Sequence, residues 1–507
     1  MLTWKATDIL VVFLIVLSGA VAARYRWSSR RNRGRPYPPG PPAYPVVGNI
    51  VKIPPKGPWL KFAEYKKRYG DLVYFQGLGN SILVLNSAKV INDLLDKRAD
   101  VYSHRPELVV AGELMRLDQG VGSLPYGREW RTQRKLCAVA LSATAVKQYY
   151  GVQEDAAALL AKALVTSPES FTGHVRLAAA RIVLTVTYGI PVKSFDDELV
   201  KLAEDTMDVV TEALVPGTFL VDFLPFLKIL PSWMPFHQYG RRGKALLDEL
   251  MNSPFERVKR NMDLGEAPPS LTQHLLGTKF EGMSNIEHSM KWATGTMYGA
   301  GGETTYAVVM IFILAMALYP EKQWKAQEEI DALLGGNRLP IVADRDHLPY
   351  VSALIKETMR WYPVVPLSLP RMTAEDDVYE GYFVPKGTIV MPNVWSVAFE
   401  NNAKYPPEQF IPERFLDEQV STPDPASWLF GFGRRICPGI FLAENSVFVL
   451  IATILTAFDI SPPPDGELKP EFILNLISYP KPYDCQILPR SDAAVRLVEA
   501  RALQCNL

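Results

Sequence analysis

Phe430 to Gly439 reads FGFGRRICPG, and it packages one cysteine in a way that an ordinary core does not need. Gly431 and Gly433 let the backbone turn at positive φ and come close to a flat object. Arg434 and Arg435 follow, then Cys437, and Pro438 and Gly439 open the apolar run IFLAENSVFVLIATIL. A helix starting there turns its free amides and the positive end of its dipole toward Cys437, which favours an anionic sulfur. One thiolate offered by a glycine-rich loop suits haem iron rather than zinc, which takes several protein ligands. No C-x-x-C pair occurs in the chain. A cysteine that merely fills space as a small hydrophobe would not need these neighbours.

Upstream of this loop, YGREWRTQRK places Trp130 and Arg134 four residues apart, on one face of a helix. From Ile286 to Leu318, ended by Tyr319-Pro320, the pattern predicts a long apolar helix carrying Gly299-Ala300-Gly301-Gly302-Glu303-Thr304-Thr305. Each mid-helix glycine costs roughly 1 kcal/mol against alanine, so several together call for a kink or a close approach to a ligand. Glu303 and Thr304 put an acid and a hydroxyl inside an apolar helix, where an unsatisfied polar group is costly unless hydrogen-bonded or wet. LIKETMRWYP carries Glu357 and Arg360 at i,i+3, close enough to pair, and FIPERF downstream brings Arg414.

These pieces, W-x-x-x-R, A-G-x-[DE]-T-[TS] at Ala300 to Thr305, E-x-x-R, P-E-R-F and F-x-x-G-x-R-x-C-x-G, stand in the order in which the cytochrome P-450 family carries them. The chain resembles that family from its N-terminus to about Pro489, and most resembles fungal microsomal members. The resemblance implies a mainly α fold with a smaller β-rich part, the cytochrome P-450 fold. It implies haem b with Cys437 as its axial metal ligand and with Arg435, Trp130, Arg134 and Arg371 as cofactor-binding residues, the last three against propionates. Thr304 and Glu303 are the implied catalytic residues, the hydroxyl ordering a proton-delivering water and the acid feeding protons inward. Glu303 stands where many members have aspartate. Glu357, Arg360 and Arg414 are implied to form a buried structural network behind the haem loop. By position, Val364 to Leu369 and parts of Arg105 to Gly122, Pro216 to Pro235 and Trp292 to Ala300 would line the pocket.

The activity implied is a monooxygenase that hydroxylates or epoxidises a hydrophobic small molecule, as in fungal secondary metabolism of terpenoids, polyketides or indole and aromatic compounds. Oxidation of xenobiotics is the neighbouring alternative. Electrons would come from NADPH through a membrane-bound cytochrome P-450 reductase, with cytochrome b5 as a second donor, since no flavin or nicotinamide fingerprint occurs in the sequence. Arg134, Lys135 and Arg434 are candidate docking charges. Two other readings compete: a haem-thiolate isomerase or dehydratase working without dioxygen, and a haem carrier or sensor without turnover. The Glu303-Thr304 pair disfavours both.

The composition agrees with such a body. There are 507 residues, 54 Lys and Arg against 54 Asp and Glu, a pI near 7.0 and 48% hydrophobic residues, enough for a large core and without the basic domain that would invite nucleic acid. Cys137, Cys437, Cys485 and Cys505 are sparse and irregular, which argues against a secreted disulfide framework, and no Asn-x-Ser/Thr sequon occurs. Residues 1–23 read as a single membrane anchor: Ile9 to Ala23 lacks charge and, with Leu2, Trp4 and Ala6, approaches the ~20 residues a spanning helix needs. Ala20-Val21-Ala22 resembles a signal-peptide cleavage site, the rival reading. Arg24, Arg26, Arg30, Arg31, Arg33 and Arg35 follow, a flank that stays cytosolic and leaves the body on the cytosolic side of the endoplasmic reticulum. Residues 24–45 then read as a basic, proline-rich linker acting as a stiff spacer, and 46–507 as the catalytic body. Within it, Leu72 to Gln76 and Ser81 to Leu85 predict a hairpin, and the stretch from Leu141 to Ser270 is mostly helical with breaks near Pro216, Pro225 and Pro231.

Overall fold

The long apolar helix predicted from the sequence is the axis around which the other helices pack. In the computed structural model, which describes residues 32–506 apart from 46, 216, 281–284, 465 and 467, it runs unbroken from Ile286 to Leu318. The predicted anchor, the cleavage-site alternative and the basic flank through Arg31 lie outside the described residues. Pro320 opens the next helix, Pro320–Leu334, at a position where its missing N–H costs nothing. Every residue from Thr305 to Ala317 is buried, because neighbours cover the helix all round. These are the helices Arg128–Leu141, Phe171–Tyr188, Pro235–Asp263 and Ile440–Ala457.

Among the described residues, Ile286–Leu318 and Ile440–Ala457 are the two helices long and apolar enough to cross a membrane, and most of each is buried inside the protein. Their apolarity serves the core. Two glycines of the long helix are explained the same way: a Cβ at Gly295 would fall 2.0 Å from Met251 Sδ, and one at Gly301 would fall 3.0 Å from Val183 Cγ2. Close approach of neighbouring helices accounts for Gly295 and Gly301 without a break in the helix, whereas a Cβ at Gly302 would meet nothing within 4 Å. Proline marks helix starts at Pro225 and Pro235, yet Pro254 sits within Pro235–Asp263.

The β-rich part comprises β1 (Leu72–Gly77), β2 (Asn80–Leu85), β3 (Arg371–Met372), β4 (Asp377–Tyr379), β5 (Tyr382–Val384), β6 (Ile389–Pro392), β7 (Phe458–Ser461) and β8 (Gln486–Pro489). The expected hairpin is present, with Val73 opposite Val84 and Phe75 opposite Ile82. One sheet has the order β1-β2-β6-β3, with β2 and β6 parallel; β4-β5 and β7-β8 form two small antiparallel pairs. Pairing of Arg371 with Val390 and a bridge between His104 and Met372 bring the segments carrying Arg371 and Arg105 side by side.

The proline-rich stretch departs from its expected role as a spacer. The Pro36 and Pro39 carbonyls accept from the Phe383 and Tyr74 amides, each at 2.8 Å, and Tyr37 stacks on Tyr74 with centroids 5.4 Å apart. A Cβ at Gly40 would fall 2.0 Å from the Tyr74 carbonyl oxygen. Proline cannot donate but its carbonyl accepts, so this segment can edge the strands it lies against. The body therefore begins no later than Pro36, ahead of the boundary expected at residue 46.

Candidate active site

The cysteine loop is shaped by its glycines. Gly431 has φ 85° and Gly433 φ 49°, and a Cβ at Gly433 would lie 2.4 Å from the Leu95 carbonyl oxygen. The Cys437 amide closes the loop by donating to the Phe430 carbonyl at 2.7 Å, and Gly439 caps the Ile440–Ala457 helix immediately beyond. Burial pushes the Cys437 thiol above its ordinary value, with the Gly439 amide and Arg134 acting against it. The helix start was expected to favour an anionic sulfur; burial works against it, and a cation at the sulfur would favour the thiolate. A metal ion is such a cation.

Cys437 opens onto a cavity of about 310 Å³ that is lined mainly by apolar atoms. Ala300, Gly301, Thr304 and Thr305 of the long helix line it, as do Trp130, Arg134, Arg371 and Arg435. Each of these predicted residues except Glu303 meets at this one space. Val364, Val365, Ser368 and Leu369 are also in its wall, with Arg105, Val121 and Gly122 and with Thr296 and Met297. Of the Pro216 to Pro235 stretch, none of the described residues, 217–235, is in the lining. Its Asp222 carboxylate accepts from the Val109 and Val110 amides at 2.7 and 3.1 Å, which ties it to that segment.

Arg105, Arg371 and Arg435 form a buried cluster of cations. Arg371 is 1% exposed, donates through Nη2 to the Phe432 carbonyl at 2.5 Å, and leaves Nε and Nη1 without partners. Burial lowers it to about 10. Arg435 donates to the carbonyls of Ser103, Val121 and Leu124 and lies over the Trp130 ring at 4.8 Å. Burial, Arg371 and Arg134 together lower it to about 9. Arg105 donates to the carbonyls of Gly122, Leu369 and Pro370 and is pushed down by burial, Arg435 and Arg371. Such mutually repelling, desolvated guanidiniums are unfavourable unless an anion joins them. A flat cofactor bearing carboxylates and an iron that takes a thiolate ligand fits this donor set. Arg105 was read from the sequence only as part of a pocket-lining stretch; its role as a third cation depends on the β3 bridge, which spans 268 residues of chain from His104 to Met372.

Arg134 donates to the Ile436 carbonyl at 2.7 Å and so braces the cysteine loop directly. Arg434 pairs with Asp100 and lies 5.1 Å over Tyr126, whereas Lys135 is exposed. Behind the loop, Glu357 is fully buried and accepts from Arg360 at 2.7 and 2.8 Å, from Arg414 at 3.2 Å and from the Ile411 amide at 2.7 Å. The two arginines in turn hold the carbonyls of Ala398, Tyr405, Pro406, Pro407 and Gln409. The charged lock is complete, and it pins the chain that leads into the loop.

Thr304 donates its hydroxyl proton to the Ala300 carbonyl at 3.0 Å, leaving the oxygen lone pairs toward the cavity it lines. Glu303 turns away and accepts from Arg176 at 2.9 Å. Arg176 lies 4.2 Å over Tyr306 and reaches Glu204 at 3.3 Å, whose side chain is 43% exposed. Burial raises the Glu303 carboxyl and Arg176 opposes this. Glu204 continues this chain of ion pairs to the surface. Nothing in the local sequence singles out Arg176, which the packing of Phe171–Tyr188 on the long helix brings into reach.

The cytochrome P-450 family profile matches residues 38–487. A cytochrome P-450 monooxygenase of Coprinopsis cinerea is 40% identical over 495 residues, covering 95% of this chain and 94% of the relative. One from Postia placenta is 38% identical over 477 residues (92% and 90%), and one from Ampulloclitocybe clavipes is 38% identical over 501 residues (96% and 93%). With that match extending over the loop, the long helix and the charged lock, the chain belongs to the cytochrome P-450 family of haem-thiolate monooxygenases, oxidoreductases that incorporate molecular oxygen.

Proposed function

We propose that this protein is a membrane-anchored monooxygenase that binds haem b through Cys437 and hydroxylates or epoxidises a hydrophobic small molecule. The observation that carries the reading is a single cavity lined together by Cys437, Thr304 and Arg371, whose buried Nε and Nη1 have no partner. Bound haem supplies the one-electron and dioxygen chemistry, with a thiolate donating electron density to the iron. Arg371, Arg105 and Arg435 hold its carboxylates together with Trp130 and Arg134. The Glu357 network keeps the cysteine loop in place. Thr304, its own proton on Ala300, accepts a hydrogen bond from a water in the cavity and orients it for proton delivery. Glu303 takes protons from the Glu204 side through movement of Arg176. The mostly apolar wall keeps bulk water out and receives the substrate.

Electrons come from NADPH by way of a reductase, with cytochrome b5 as a second donor. Lys135 is the exposed docking charge; Arg434 and Arg134 are engaged with Asp100 and Ile436 and contribute shape more than free charge. Residues 1–23 anchor the chain in the endoplasmic reticulum membrane with the body in the cytosol, a reading supported by the arginines that follow the apolar run. The apolar cavity supports a hydrophobic substrate, and the resemblance of the sequence to fungal microsomal members suggests a terpenoid, polyketide or indole skeleton of secondary metabolism.

The test is the reduced, CO-bound difference spectrum of membranes from cells expressing the full chain, followed by NADPH-dependent turnover with added reductase and a mixed terpenoid and aromatic library. A thiolate-type band with oxygenated product is expected, and Cys437→Ser should abolish the band. A band without NADPH-dependent product would return the isomerase and carrier readings. Normal spectra in Cys437→Ser would end the ligand assignment.

A further inference from the structure

The family match ends at residue 487, yet the chain goes on to fold a further helix, Asp492–Ala502. The Ser491 side chain caps its start by accepting from the Ala494 amide at 3.2 Å, and Val498 and Ala502 are buried. It packs on the Tyr150–Thr166 helix, where Asp155 receives it. One oxygen of the buried Asp155 carboxylate accepts from Arg501 at 2.6 Å and the other from the Asn506 amide at 3.0 Å. The Asp155 carbonyl takes the Cys505 thiol at 3.6 Å. Both oxygens of a buried carboxylate are thus satisfied by the last residues of the chain.

Consecutive residues of a helix point about 100° apart, so Gln153, Glu154 and Asp155 reach three different neighbours. Glu154 accepts from the Val342 amide at 3.0 Å. Gln153 is fully buried, and its Nε2 donates to the Leu442 carbonyl at 2.9 Å and to the Ser446 hydroxyl at 2.7 Å. Leu442 and Ser446 belong to the Ile440–Ala457 helix, which Cys437 leads into, and both line the cavity. Gln153 Oε1 has no partner among the described residues, so those two donations are what hold this amide. Two residues of one helix thereby connect the C-terminal helix to the wall of the cavity.

We infer that the C-terminal helix is a positioning element for the haem site: through Asp155 and Gln153 it fixes where the Ile440–Ala457 helix stands and so how firmly haem is retained. This rests on the haem-thiolate reading. Arg501 is the tie at one end and Gln153 the tie at the other, and neither is in the cavity wall. Both act on the haem site through the helix that carries the lining residues.

The experiment uses the full-length, haem-loaded protein and follows transfer of its haem to excess apomyoglobin. Beside it are measured the ferrous CO-bound spectrum and the urea unfolding of the haem-depleted protein. Arg501→Leu and Gln153→Leu should each speed haem loss about fivefold, the worth of one hydrogen bond, and enlarge the fraction of CO-bound protein without the thiolate-type band. Arg501→Lys, which keeps a donor for Asp155, should stay near wild type. On a Gln153→Leu background, Arg501→Leu should add nothing further to the rate, although it still lowers resistance to urea. Glu154→Leu, on the same helix but tied to Val342, should keep the wild-type rate. Rates that multiply in the double variant, an unchanged rate in Arg501→Leu, or equal acceleration in Glu154→Leu overturn the inference, since the C-terminal helix would then serve stability alone. A wild type without the thiolate-type band ends the haem-thiolate reading and this inference with it, whereas those outcomes beside a normal wild-type band end this inference only.

Discussion

At the scale of single residues, the site divides into groups whose surroundings satisfy them and groups left incomplete. Glu357 accepts four hydrogen bonds and needs nothing further, whereas Arg371 keeps two buried nitrogens without acceptors. Thr304 stands between these cases, because its proton is committed to Ala300 and its lone pairs are not. If its work is to hold a water, Thr304→Ala should pass reducing equivalents to hydrogen peroxide in place of product, while Thr304→Ser restores coupling. If the hydroxyl only braces its own helix, thermal stability should shift and coupling should not. Peroxide yield per NADPH consumed, measured beside the melting temperature, tells the two apart.

At the scale of elements, two joints carry more than their length suggests. The first is the lock of Glu357, Arg360 and Arg414, which ties the Pro349–Trp361 helix to the chain entering the cysteine loop. Glu357→Gln keeps the shape and removes the charge, leaving two buried guanidiniums uncompensated at a cost of about 3–5 kcal/mol. Urea unfolding should show that loss together with reduced haem content; a change within about 1 kcal/mol would count against the lock. The second joint is Asp222, which takes the free amides at the start of the Val109–Leu114 turn and leaves its Oδ2 without a partner. Burial raises this carboxyl to about 6, against the two amides that lower it. The folded protein thus holds the proton more tightly than the unfolded chain. The stability it contributes is complete below the ordinary carboxyl range, near 4, and is lost as the pH rises through 6. Asp222→Asn should therefore gain about 2 kcal/mol on wild type between pH 4.5 and 7. Parallel stability profiles for the two proteins would refute this. The neighbouring Lys228 to Glu113 pair, at 2.9 Å, is exposed and should contribute little.

At the scale of the whole molecule, what the sequence made legible was whatever repeats a local physical constraint. The cysteine loop, the Ile286–Leu318 boundaries and the hairpin were readable because glycine, proline and hydrophobic period act over a few residues. The third cation, Arg105, and the partner of Glu303, Arg176, were not, since each is created by contacts between segments far apart in the chain. The docking of Pro36 to Tyr44 was misread for the same reason: proline excludes helix but does not say what its carbonyls will meet. Those long-range contacts also gather Arg105, Arg371 and Arg435 at one place, where, among the described residues, Asp96 is the one carboxylate that acts on Arg371 against its burial, so the haem-free fold is electrostatically unfavourable. Haem loading should then stabilise the protein partly by relieving that repulsion. Arg371→Leu removes one buried charge and its unpaired nitrogens. The haem-depleted variant should melt higher than haem-depleted wild type, and the gain on loading should shrink by about 1–3 kcal/mol. If Arg371 instead serves only to hold the Phe432 carbonyl, the substitution lowers both melting temperatures equally and leaves the gain on loading unchanged.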